Sequence, residues 1–232
     1  MKMRAKFSKK EDLIYISHLD LMRLFHRAFR RAEIPVKYSE GFNPHPQLSL
    51  ATALALGVSS DGEYMDLELE SNMEPEEFKQ RMNMILPNGI KILKAVPSYE
   101  KSSLVSLIRW SNYIVKFNTV DKMTIEEITN LINDFLNKKE LILTKEKKKG
   151  KKVTVNQQNV RERINELFPL SVENNTVILK TTLMTGSVGN IKPNEVVDLL
   201  KEYVNIKIEE DSLRLHRLDL FIEKDGAISL PI

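Results

Sequence analysis

The chain has 232 residues, 42% of them hydrophobic and 29% charged, with a formal net charge of +3 at pH 7 and no cysteine. That is the composition of an ordinary globular protein, long enough for one large domain or two small ones. Without cysteine there are no disulfides, thiolate metal centres, iron–sulfur clusters or cysteine nucleophiles. No stretch approaches the roughly 20 apolar residues of a membrane span, and the N-terminal MKMRAKFSKKEDL lacks the apolar core of a signal peptide. A cytoplasmic protein with no membrane contact is expected.

Met1 to Ser8 reads as a first strand. Ser17 is placed as a helix N-cap, with Asp20 three residues on as a short capping box. From Leu19 to Glu33 the helical period puts Leu21, Phe25, Ala28, Phe29 and Ala32 on one face and Arg23, Arg27, Arg30 and Arg31 on the other. Pro35 bars continuation and sets up a strand at Val36 to Tyr38. In EGFNPHPQLSL, Asn43 and His45 each precede a proline, so the segment is stiff and extended. Gln47 to Ala53 is strand-like, and Gly57 to Gly62 reads as a turn. Glu63 to Glu70 alternates, with Tyr64, Asp66 and Glu68 on one face and Met65, Leu67 and Leu69 on the other, the pattern of a half-buried antiparallel strand. A helix from Glu74 to Leu86, with Pro75 in its first turn, and a strand from Ile90 to Val96 complete a β-α-β-β-α-β order.

After a polar linker at Pro97 to Ser103 the pattern partly recurs. Strands are expected at Ile108 to Phe117, Leu141 to Thr144, Val153 to Val155, Val177 to Leu183, Ile206 to Ile208 and Leu213 to Phe221. Helices are expected at Thr124 to Leu136, Val160 to Leu167 and Pro193 to Tyr203. The expected fold is α+β: two tandem ferredoxin-like (βαββαβ) halves with antiparallel sheets, spanning 1–100 and 104–232.

Three features carry candidate chemistry. In the proline loop, Gly41 permits close backbone approach, Phe42 can stack, and Asn43 and His45 can hydrogen-bond a ligand. The plainer alternative is a rigid connection whose His45 caps a nearby backbone group. In the arginine stripe, the 23, 27, 30 spacing lines up three guanidinium groups, flanked by Arg31 and His26, that suit successive phosphates. Only Asp20 and Glu33 lie nearby to neutralise it, and the alternative is a solvated helix face. The segment Lys138 to Lys152, KKELILTKEKKKGKK, holds eight lysines against two glutamates. Lys147, Lys148 and Lys149 approach its Gly150 turn as a finger for polyanions, or as a solubilising hairpin.

Other patterns fall short. MTGSVGNIKP lacks the lysine–serine/threonine ending of a P-loop and the third glycine of a dinucleotide fingerprint. His18 and His26 stand about 12 Å apart along a helix axis, too far for one ion to bridge. No nucleophile elbow, zincin or Walker pattern occurs, so neither a catalytic residue nor a cofactor is expected.

The runs SHLDLMRLFHRAFRRA, YSEGFNPHP and GEYMDLEL, with TGSVGNIKPNEVVDLL near the C-terminus, resemble the radical SAM-linked protein family, a domain of unknown function numbered 2344. The resemblance implies a protein fused to, or encoded beside, a radical SAM enzyme, with a ribonuclease of the E/G type and ribosomal proteins among its gene neighbours. Lacking the three cysteines of a radical SAM cluster, this chain would be the accessory part. The expectation is a non-catalytic protein that presents RNA or a ribosomal substrate to a radical SAM partner on a separate chain. Its likeliest site is Ser17 through Pro46, including Ser17 and His18. The alternatives are an RNA-processing or RNA-modifying enzyme, using His45 or His18 with Asp20 or Asp66, and a protein–protein adaptor without RNA.

Overall fold

The computed structural model describes the chain except residues 101, 150, 151 and 225; the side chains of 147–149 and 152 are also outside the described residues. The described residues form a mixed α+β fold in two compact units, Met1–Trp110 with His216–Ile232, and Ser111–Leu215.

In the first unit, β1 (Lys2–Lys9) leads through a 3-10 turn at Glu11–Tyr15 into α1 (His18–Arg31), followed by β2 (Leu48–Leu50), β3 (Ser59–Glu68), α2 (Pro75–Ile85), β4 (Ile90–Ser98) and the short α3 (Leu104–Leu107). β1 lies between β3 and β4, antiparallel to both, and β2 pairs antiparallel with the end of β3, opposite Met65 to Leu67. The expected strand at Val36 to Tyr38 is reduced to two isolated bridges, Val36 with Leu69 and Tyr38 with Pro46. Proline in this stretch leaves too few donors for a continuous ladder.

One face of the sheet is the main core. Met3, Ala5 and Phe7 of β1, Met65 and Leu67 of β3, and Ile90 and Ile92 of β4 pack against Leu21, Phe25, Ala28 and Phe29 of α1 and Phe78 and Met82 of α2. Phe25 meets Phe7 edge-on at 5.0 Å and stacks on Phe29 at 5.9 Å. Each such ring buried contributes about 1.5–3 kcal/mol. The Ser17 hydroxyl caps α1, accepting the Asp20 N–H at 3.1 Å. The helix ends at Arg31 rather than Glu33, because Glu33 is already left-handed at φ 52°.

The second unit begins on β5 (Ile108–Asn118), whose first residues belong to the first unit. It continues through α4 (Ile125–Leu136), β6 (Ile142–Lys149), β7 (Lys152–Asn159), a 3-10 turn at Arg161–Arg163, β8 (Ile164–Glu173), β9 (Thr176–Met184) and α5 (Pro193–Val204). β8 pairs antiparallel with β9, which neighbours β5, while β6 and β7 form a separate hairpin. The expected helix at Val160 to Leu167 is instead that 3-10 turn followed by β8, where cross-strand pairing with β9 outweighs a weak helical period. Ile206 to Ile208 makes only a bridge to Thr119.

β10 (Arg214–Lys224) and β11 (Ala227–Ser229) close the chain. Residues from His216 onward group with the first unit. β10 runs parallel to the start of β3, pairing His216 with Ser59 and Arg217 with Ser60. The expected turn at Gly57 to Gly62 is therefore partly strand. A Cβ at Gly62 would stand 2.3 Å from the Asp219 backbone, so glycine is required where β10 crosses closely.

Candidate nucleic-acid interface

The outer face of α1 carries Arg23, Arg27, Arg30 and Arg31, all exposed. Arg23 reaches Asp20 at 3.1 Å, while Arg27, Arg30 and Arg31 have no ion-pair partner among the described residues. The Ser17 hydroxyl, then Arg23, hold the Asp20 carboxyl below its usual range, so Asp20 stays charged and already committed. The Ser17 hydroxyl is engaged as the helix cap, and His18 is exposed at the first helical position. Arg27, Arg30 and Arg31 are guanidinium groups without a carboxylate partner among the described residues, the arrangement that suits oxyanions.

The proline loop projects from the same unit and is held at its base. The Ser39 N–H donates to the His45 carbonyl at 2.9 Å, the His45 N–H donates to the Ser39 hydroxyl at 3.1 Å, and the Gln47 N–H donates to the Lys37 carbonyl at 2.8 Å. Gly41 takes φ 115°, a conformation open to glycine, and this turns the tip. Phe42 is fully exposed, and Asn43 and His45 are exposed. The His45 ring makes no hydrogen bond among the described residues, so the loop is braced by backbone and Ser39 rather than by a capping imidazole.

His26 is the second histidine of the helix. It lies on α1 between the core face and the arginine stripe, and its Nε2 is buried with no hydrogen-bond partner. Burial, and then the nearby charge of His45, push its pKa below the usual 6.5. The two histidines are near enough for their charges to oppose each other, with no hydrogen bond between loop and helix side chains among the described residues. Lys147, Lys148 and Lys149 belong to β6 in the second unit; their side chains and residue Gly150 are outside the described residues.

The second face of the first sheet was not legible as a buried surface. Asp66 accepts from Arg4 Nε at 2.7 Å and from Nη2 at 2.9 Å, with both side chains buried. Lys6 ion-pairs with Asp219, which also accepts the Tyr64 hydroxyl at 2.6 Å; burial, and then this hydrogen bond to a carboxylate, push the phenol far above its usual range. Arg217 pairs with Glu63 at 2.9 Å. Ala51, Leu104, Ile108 and Leu220 cover this face as a second small core. Asp66, expected on a half-buried strand, is therefore locked to Arg4 and is no acid–base partner for His45. Near the parallel junction, Ser59 Oγ lies 2.8 Å from His216 Nδ1 and His216 Nε2 lies 3.2 Å from Asp61, which also holds Lys10 at 2.7 Å. Lys9 is buried, its ammonium donating to the Ile16 carbonyl at 3.0 Å; burial lowers its pKa and Glu63 opposes the shift.

A pocket of about 330 Å³ opens where the loop meets this second face. His45, Gln47, Ser49, Lys2 and Glu68 supply polar groups, and Leu104 forms an apolar wall. Among the described residues no group of three histidines and carboxylates is placed to hold a metal ion, and no helix is long and apolar enough to cross a membrane.

The chain is an α+β protein with a large, mostly antiparallel sheet, and its first unit carries both a cationic helix and a proline-braced loop. Residues 2–193 match the model of DUF2344, described as "Uncharacterized protein conserved in bacteria", and the chain belongs to that family. A search of curated proteins found no match. Solved structures share the fold at low identity. A Cbf5-Nop10-Gar1 complex aligns with TM-score 0.50 and 10% identity over 94% of this chain and 48% of that one. An archaeal box H/ACA sRNP Nop10-Cbf5 complex aligns with 0.50 and 8% over 93% and 46%. An H/ACA RNP bound to a substrate RNA containing 2'-deoxyuridine aligns with 0.51 and 8% over 97% and 47%. The chain spans about half the length of these similar chains.

Proposed function

We propose that this chain is a non-catalytic RNA-binding accessory protein, gripping a single-stranded RNA or ribosomal substrate with the α1 arginine stripe and the Gly41–Pro46 loop. The observation that carries this reading is the exposed row of Arg27, Arg30 and Arg31 on α1, none with an ion-pair partner among the described residues. Phosphates would meet the guanidinium row while Phe42 offers a face for a base. The RNA named for one of the similar structures is a weak further support.

The partner class rests on the resemblance of the helix and loop runs to radical SAM-linked proteins. With no cysteine to hold a cluster, this chain would hold substrate for a cytoplasmic radical SAM enzyme on another polypeptide. We read the units as tandem ferredoxin-like halves. The β4-β1-β3-β2 order supports this in the first unit, and β5-α4-β8-β9-α5, with the β6–β7 hairpin inserted, supports it in the second.

Replacing Arg23, Arg27 and Arg30 by glutamate is expected to abolish RNA binding in gel-shift titrations with no loss of thermal stability, since all three are exposed. Unchanged affinity would reject the RNA reading. Recovery of a radical SAM enzyme from nuclease-treated as well as untreated lysate would support a protein–protein adaptor instead.

A further inference from the structure

The pocket at the root of the proline loop is a site in its own right. Its floor is Asp66, whose two oxygens are taken by Arg4. At its rim Lys2 and Glu68 stand 3.9 Å apart. Each carboxylate of the pocket is thus matched by a cation, Glu68 by Lys2 in the lining and Asp66 by Arg4 behind it, so the charges balance. A phosphate would gain little here, whereas a neutral, flat, polar group would lose little by leaving water.

The unsatisfied groups suit such a ligand. Gln47 commits its amide N–H to the Tyr38 carbonyl at 3.3 Å. That leaves its side-chain oxygen as an acceptor, and neither the Ser49 hydroxyl nor the His45 ring has a partner among the described residues. Ser49 faces the pocket because it pairs with Asp66 across β2 and β3, and side chains of paired residues share a sheet face. Leu104, itself fully buried, supplies an apolar wall for a ring. At about 330 Å³ the volume is at the low end of small-ligand sites, roomy for a base or nucleoside and too small for a peptide or helix.

We infer that this pocket binds an unpaired nucleobase, held by Gln47, Ser49 and His45 against Leu104. The inference rests on the RNA reading of the arginine stripe and deepens it: charge would be met on α1 and the uncharged base in the pocket, which His45 of the proline loop lines. A strand crossing the loop could place a phosphate and a base in the two places at once.

Free ribonucleosides test the pocket separately, because they carry no phosphate and do not need the arginines. The four nucleosides would be titrated into the full chain, following the Leu48 and Leu104 methyl resonances. Expected are saturable shifts with at least one nucleoside, weakened at least tenfold in Ser49→Trp, which fills the space, and severalfold in Gln47→Ala, which leaves the strand unburdened. The Arg23, Arg27 and Arg30 to glutamate variant should keep them unchanged. Absence of methyl shifts with all four nucleosides, or equal affinity in Gln47→Ala and a folded Ser49→Trp, would overturn the pocket assignment. Nucleoside binding in a protein that ignores RNA would overturn the arginine reading while leaving the pocket in place.

Discussion

Asp66 accepts two hydrogen bonds from Arg4 with both groups out of water, so removing either strands the other. Asp66→Ala is expected to destabilise the protein by about 3–5 kcal/mol in chemical denaturation, and pairing it with Arg4→Met should recover most of the loss. His26 makes a second, pH-dependent case. Its folded pKa lies below the usual 6.5, so the unfolded chain takes up a proton that the folded chain resists. Its neutral form therefore suits the fold fully above about pH 6.5, and stability falls as pH drops below that value. His26→Asn should flatten this acid-side slope in denaturation curves taken between pH 5 and 8; an unaltered slope would place the titration elsewhere. The arginines could be read from the sequence because helical spacing alone separates them from Leu21, Phe25 and Phe29. The buried state of Asp66 could not, because alternation shows which residues share a face and not what covers it.

At the scale of elements, α1 and α4 are both capped by hydroxyls, and α4 carries a full capping box between Thr124 and Glu127. Thr124→Ala should cost about 1 kcal/mol, read as a lowered denaturation midpoint. The helices α1, α2, α4 and α5 and the first four strands were foreseeable from period and caps, whereas the short α3 was not. β8 was not, since Val160 to Leu167 shows helical spacing over too short a stretch to outweigh pairing with β9. Gly62 held a signal of a different kind: an isolated glycine beside an alternating run marks a close backbone approach, here that of β10, as readily as a turn.

At the scale of the whole molecule, the chain returns to its first unit. β10 brings Arg217 to Glu63 and Asp219 to Lys6 and Tyr64. Sequence order gives no sign of such a return, because a strand's own pattern does not name its neighbour. A fragment ending at 110 lacks these partners and should fail to unfold cooperatively, whereas residues 111–215 should give a dispersed amide spectrum alone. A cooperative melt of the 1–110 fragment would contradict the division.

The arginine stripe is tested most directly by the salt dependence of RNA affinity, because only displaced counterions set that slope. For single strands each phosphate contact contributes about 0.7 to the fall of log K with log salt, so losing three contacts should flatten the slope by about 2. Measured by fluorescence anisotropy from wild type to Arg23→Ala, Arg27→Ala and Arg30→Ala combined, that flattening is the predicted result. Parallel slopes, with affinity changed or unchanged, would show that phosphates are held elsewhere and would contradict the assignment of α1 as the phosphate-binding face.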